Sequence, residues 1–290
     1  MLGGLTILLT FAYGNMLALT SSVWDDPLYS FCWIVPIFAL FLLWTRRQPF
    51  RPVPMVERWV GFGILIAALS VRLVAAYYDM APLDRLSFLA SLFGVFLMVG
   101  GRHLMEWSWP ALGILIFMFP LPSILEHSLL WNLQKVATIG STFALQTLGL
   151  SAFRLGNVIN IAGLDQPLFV ADACSGLRML TVFCFFAVAM VFLIERPWWD
   201  KFIILLSAIP IALAVNIIRI TTTGMLYMWF GQDNEFVQKL GHDWAGYFMM
   251  PLALGFLWLE LQILNHLTIP VEATQLRPVG AGGPGLAPMR

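Results

Sequence analysis

The sequence predicts an all-α polytopic membrane protein of about eight transmembrane helices, with an interfacial helix and a small β-hairpin on its outer face. Three observations carry that prediction. Hydrophobic residues make up 60% of the chain and charged residues 11%, and mean hydropathy is +0.83, far too apolar for a soluble protein of 290 residues. Apolar stretches recur that approach the roughly 20 residues needed to cross ~30 Å of hydrocarbon as a helix. The charges fall between those stretches, grouped by sign.

In chain order, the spans are expected near residues 2–21, 30–45, 59–77, 87–101, 108–125, 177–194, 202–220 and 246–265. The first reads as a span rather than a signal peptide because no Lys or Arg precedes Arg46 to form a basic leader. Residues 131–150, WNLQKVATIGSTFALQTLGL, predict a helix too polar to cross lipid, since Asn132, Gln134, Lys135, Gln146 and Thr147 interrupt its apolar positions, so that it lies at the outer interface or packs on the bundle. Beyond Gly156, the runs NVINIA and PLFVAD flank Gly163, Leu164 and Asp165, a strand-turn-strand pattern that delivers the chain to the sixth span. Residues 1–270 form a single integral membrane domain on this reading, and 271–290, rich in Gly and Pro, a flexible cytoplasmic tail.

Charge orients the bundle. Arg46, Arg47, Arg51 and Arg58 crowd one loop, and Arg102, Arg196, Lys201, Arg277 and Arg290 lie in segments of the same parity, which the positive-inside tendency makes cytoplasmic. Both termini are then inside. The two longest connections, 122–176 and 221–245, fall outside and are where chemistry would be housed. Net charge is zero, so nothing points to nucleic acid.

That topology brings three groups to one face. The sixth span runs inward from Cys174 and the seventh returns outward to Arg219, while His242 precedes the eighth. A free thiol is only a few per cent thiolate at neutral pH, and a nearby cation or imidazole lowers its pKa. Cys174 is thus a candidate nucleophile, His242 a proton acceptor and donor, and Arg219 a fixed charge for a thiolate or oxyanion. Arg178 and Asn216, one helical turn from Cys174 and Arg219, are supporting candidates, with Ser175 and Gly176 beside the thiol and Asp243 beside the imidazole. Each has a plainer reading. Cys174 would serve as a small packing residue, Arg219 would snorkel to the interface, and His242 would cap a helix or face water; Asp243 adjoins His242, and adjacent helical positions do not face each other. Cys32 and Cys184 lie within apolar spans as inert thiols, and no C-x-x-C spacing marks a metal site. No cofactor is called for.

The residues ACSGLR at 173–178, NIIRI at 216–220 and the H-x-x-x-G spacing from His242 to Gly246 resemble the exosortase and archaeosortase family of membrane cysteine transpeptidases. WDDPLYSFCWIVPIFALFLLWTRR near the N-terminus and FMFPLPSIL at 117–125 are similar to that family's early and mid-chain segments. Asp172 stands where the family often has Glu, and Phe31-Cys32 where it commonly has His-Gly. The resemblance implies a bacterial inner-membrane enzyme. Its partners would be exported proteins carrying a C-terminal sorting signal: a short motif such as Pro-Glu-Pro, one membrane helix and a basic cluster. Cleavage would pass through a thioester on Cys174, and lipid-exposed spans would admit the substrate helix laterally. From the residues alone, two other readings stay open: a small transporter or membrane scaffold subunit, and a metalloprotease using Cys174, His242 and Asp243, though no H-E-x-x-H helix is present.

Overall fold

The computed structural model describes residues 2–26, 28–46, 48–49, 51–164, 166–169, 176–231 and 245–267. Nine α-helices and a three-stranded sheet make up the described elements: α1 (Leu2–Ala12), α2 (Gly14–Val23), α3 (Ile34–Arg46), α4 (Met55–Tyr77), α5 (Ala81–Ile114), α6 (Ser123–Thr147), β1 (Ala152–Leu155), β2 (Val158–Ile161), β3 (Leu168–Phe169), α7 (Leu177–Leu193), α8 (Trp198–Phe230) and α9 (Ala245–Leu267). Short 3-10 turns at Ser30–Trp33 and Leu115–Met118 lead into α3 and extend α5.

Helical segments occupy every expected span, but by length and composition fewer than eight qualify as crossings among the described residues. Among the described residues, three helices are long and apolar enough to cross a membrane: α4, α5 extended to Met118, and α8; α1 and α2 add a fourth if counted together. The differences have physical causes. The first expected span is broken at Tyr13 into two helices inclined at 70°. Arg72 binds the freed carbonyl of Ala12 there, and its guanidinium lies 3.9 Å over the Tyr13 ring. The fourth and fifth spans are two helical segments of α5 that double back at Gly101, whose φ of +65° suits glycine: the Phe88 and Phe119 rings lie 6.3 Å apart, and Arg85 Nη1 donates to Pro120 O at 3.5 Å. Glu57 accepts the Arg102 amide there at 2.8 Å, capping the helix where it restarts. At 13 residues α3 is about 20 Å long, and α7 has 17 residues, so each is short for a full crossing. Hydropathy reads composition along the chain and is blind to a break such as that at Tyr13.

α4 and α5 pack tightly, because Gly61 and Gly94 let their backbones approach: a Cβ on Gly61 would lie 2.7 Å from Met98 Cα and 2.9 Å from Gly94 O. The opposite face of α4 exposes Phe62, Ile66 and Leu73, an arrangement suited to lipid. Three apolar clusters hold the rest. One joins α1, α3, α5 and α7 around Tyr13, Leu42, Ile114 and Phe185; one joins α7, α8 and α9; and one seats the sheet on α6 and α8 through Ala137, Leu145, Ile159 and Ile220.

The expected hairpin is present and has a further strand. β2 pairs antiparallel with β3, Val158 facing Phe169, and also with β1 across a two-residue turn at Gly156 and Asn157. The expected helix at 131–150 runs instead from Ser123 to Thr147, starting directly after Pro122.

The basic loops gather at one end. Arg46 bonds the Phe192 carbonyl, and Arg46, Gln48, Glu106 and Glu195 share a cavity of about 480 Å³. At the other end the two segments quoted from 24–47 and 117–125 meet: Trp24 Nε1 donates to Met118 O at 2.9 Å, Cys32 Sγ to Phe117 O at 3.3 Å, and Tyr29 Oη to Glu126 Oε2 at 2.9 Å.

Candidate active site

Arg219 lies 21 residues beyond the start of α8, about 30 Å along the axis and so about one hydrocarbon thickness from the basic end. It is buried, at 4% exposure, and Asn216, one turn earlier, is wholly buried. Charge at that depth in an apolar helix is costly, which argues for a role beyond packing.

Gly176 meets this turn directly. It adopts φ +87° as the cap of α7, and a Cβ there would lie 3.0 Å from Asn216 Nδ2 and 3.2 Å from its Cγ. Glycine is therefore required twice, for the left-handed backbone and for the close approach. The glycine of ACSGLR and the asparagine of NIIRI, 40 positions apart, are neighbours.

A polar stripe on α6 continues the site. Gln134, Thr138, Ser141 and Thr142 are buried at helical spacing, and Ser141 Oγ donates to Ile217 O at 3.5 Å where α6 crosses α8. Gln134 Oε1 accepts from Asn157 Nδ2 at 2.7 Å, tying the β1–β2 turn to α6. Gly224 lies against Ile161 and Leu145, fixing the sheet to the far part of α8. The polarity of 131–150 reads in sequence as an interfacial or bundle-packed helix; the burial of its polar positions shows that it packs on the bundle.

α9 returns antiparallel to α8. Glu260 accepts from Ser207 Oγ at 2.7 Å, and Asn265 pairs with Arg196. Counting back along both helices brings Ala245 about level with the Arg219–Thr222 turn.

Of the sequence-derived candidates, Gly176 and Asn216 are in contact and Arg219 is buried one turn on. Arg178 is partly exposed and reaches Ser30 Oγ at 3.4 Å. Cys174, Ser175, His242 and Asp243 lie outside the described residues. Sequence reasoning passed over Tyr29 and Glu126. Burial, then the hydrogen bond and charge of Glu126, raise the Tyr29 phenol above its ordinary range, so it stays a donor.

A family model described as transmembrane exosortase matches residues 23–259 of the 290. The chain belongs to the transmembrane exosortase family. The match begins next to Trp24 and ends within α9, so it encloses the broken α5, the sheet and the Gly176–Asn216 contact. Exosortases are peptidase- or transpeptidase-like membrane enzymes that act in protein sorting. No curated protein and no solved structure matches this exosortase.

Proposed function

We propose that this exosortase is a cysteine transpeptidase or peptidase that cleaves C-terminal sorting signals of exported proteins at the outer face of a bacterial inner membrane. The seating of Gly176 against Asn216 carries the reading. Two residues of chain span at most about 7 Å, so Cys174 is tethered within that reach of Gly176, beside the turn that bears Arg219. Three residues, about 11 Å at most, tether His242 to Ala245, where α9 begins at the same level. The end rich in Arg46, Arg58, Arg102 and Arg196 faces the cytoplasm on this reading, which sets Arg219 at the outer face.

The chemistry follows from those groups. His242 accepts the thiol proton, and the Cys174 sulfur attacks the carbonyl carbon of the scissile peptide bond. Arg219 balances the oxyanion of the tetrahedral intermediate, a contribution of about 10²–10³ in rate for one such donor. The C–N bond breaks as His242 returns the proton to the leaving amine, leaving a thioester on Cys174. An amine or water then attacks that thioester and frees the thiol. The substrate is a protein with a short motif such as Pro-Glu-Pro, one apolar helix and a basic cluster that stops at the cytoplasmic surface.

Co-expression with a reporter bearing those three elements tests the reading. Wild type shortens the reporter and Cys174→Ala does not; processing by Cys174→Ala at the wild-type rate would remove the nucleophile.

A further inference from the structure

An apolar cavity of about 290 Å³ opens beside the first two turns of α7. Leu177, Leu180, Thr181 and Cys184 form one wall, a single face of the helix at i, i+3, i+4 and i+7, and Phe31 and Phe119 stand among the residues opposite. Its volume is close to the lower bound of small-molecule sites. Tyr29, held to Glu126, closes its rim, so the space is a recess with a polar lip rather than an open apolar face.

Its position relative to the site sets its occupant. The turn that presses Gly176 against Asn216 continues directly into Leu177, which is fully buried in the cavity wall. Cys174 is three residues from Leu177, a tether of at most about 11 Å, the length of three residues of extended peptide. A peptide whose carbonyl is attacked by Cys174 thus reaches this recess within about three residues of the scissile bond. A polar side chain finds little to bond there, and a β-branched, leucyl or aromatic one fills it.

We propose that this recess is the specificity pocket of the enzyme, and that it receives one large apolar side chain of the sorting signal from the head of its membrane helix. The proposal rests on the function argued above. It makes the apolar residue nearest the cleavage motif a determinant of processing, in addition to the motif itself.

Two measurements test it. Reporters bearing Pro-Glu-Pro, an apolar helix and an arginine cluster are made with Ala, Leu or Phe at each of the first three positions after the motif, and processing rates are compared. Wild type favours Leu over Ala at one position. Leu180→Ala shifts preference toward Phe, and Thr181→Trp toward Ala, each by about tenfold or more. Identical preferences in all three enzymes would overturn the pocket, leaving the recess to lipid acyl chains. Second, in the Cys174→Ala background, reporters carrying one cysteine at successive positions are oxidised with copper phenanthroline. A disulfide to Cys184 forms from the helix head alone and is lost in Cys174→Ala/Cys184→Ala; equal capture from mid-helix positions would contradict the assignment. Because the second assay needs no turnover, a failed pocket and a failed nucleophile give different results.

Discussion

Gly176→Ala is the smallest change that tests how the site is assembled. The new methyl would lie 3.0 Å from Asn216 Nδ2 and 3.2 Å from Cγ, closer than ordinary side-chain contacts, and Asn216 is wholly buried with little room to yield. The backbone at φ +87° adds about 1–2 kcal/mol for any residue with a Cβ. Together these come to about 2–3 kcal/mol, and the chain relieves them by lifting the start of α7 from α8. On the proposed function, Cys174, two residues before Gly176, then loses its relation to Arg219. Reporter processing is expected to fall by about 30- to 100-fold, a loss of the same size in barrier terms, with a comparable fall in the rate of Cys174 alkylation by iodoacetamide near neutral pH. Gly149→Ala controls for strain alone, because it shares a positive φ but meets open space. If Gly176→Ala matched wild type in both assays, the Gly176–Asn216 contact would not position the nucleophile.

Other outcomes follow from the packing. Gly61→Ala places a methyl against the Met98 backbone and should lower thermal stability in detergent by about 1–3 kcal/mol, whereas Gly63→Ala, which meets open space, should not. Arg72→Met removes the cation from over Tyr13 and the donor to Ala12 O; faster protease cleavage at the α1–α2 break is expected, and unchanged protection would refute that role. Tyr29→Phe loses the hydrogen bond to Glu126 and should cost about 1–2 kcal/mol. Its pH dependence has a definite sign. With the folded phenol raised above its unfolded value, the contribution is fully present below about pH 10, so the difference between wild type and Tyr29→Phe stays flat from about pH 6 to 9 and declines only in stronger alkali.

The helices were legible because each apolar stretch in the sequence is long enough to be buried or to face lipid, and their order fixed which chemical groups could share a face. The turn at Gly101 was legible too, because Arg102 and His103 interrupt the apolar run there. What was not legible is the break at Tyr13, which sits inside a run whose hydropathy does not change across it and which depends on Arg72, 59 positions away. β1 escaped notice because Phe153, Arg154 and Leu155 show no alternation of burial, being an exposed edge. At the site, Asn216 and Gly176 were named in sequence only as neighbours of Arg219 and Cys174; their contact with each other is visible only in the packing. The buried stripe of Gln134, Thr138, Ser141 and Thr142 was present as a helical period of polar residues, yet only its packing on α8 distinguishes a buried face from an interfacial one. Arg178 shows the converse: one turn from Cys174 in sequence, it reaches Ser30.

The proposed function requires that Cys174 form an acyl-enzyme supported by Arg219 and His242. Mass spectrometry of the protein purified from membranes co-expressing the sorting-signal reporter addresses it directly. The expected result is a mass addition on the peptide containing Cys174 that corresponds to the reporter's acyl fragment, released by hydroxylamine, absent in His242→Ala and strongly reduced in Arg219→Ala. Cleaved reporter without any adduct at Cys174, or an adduct of equal abundance in both variants, would contradict it.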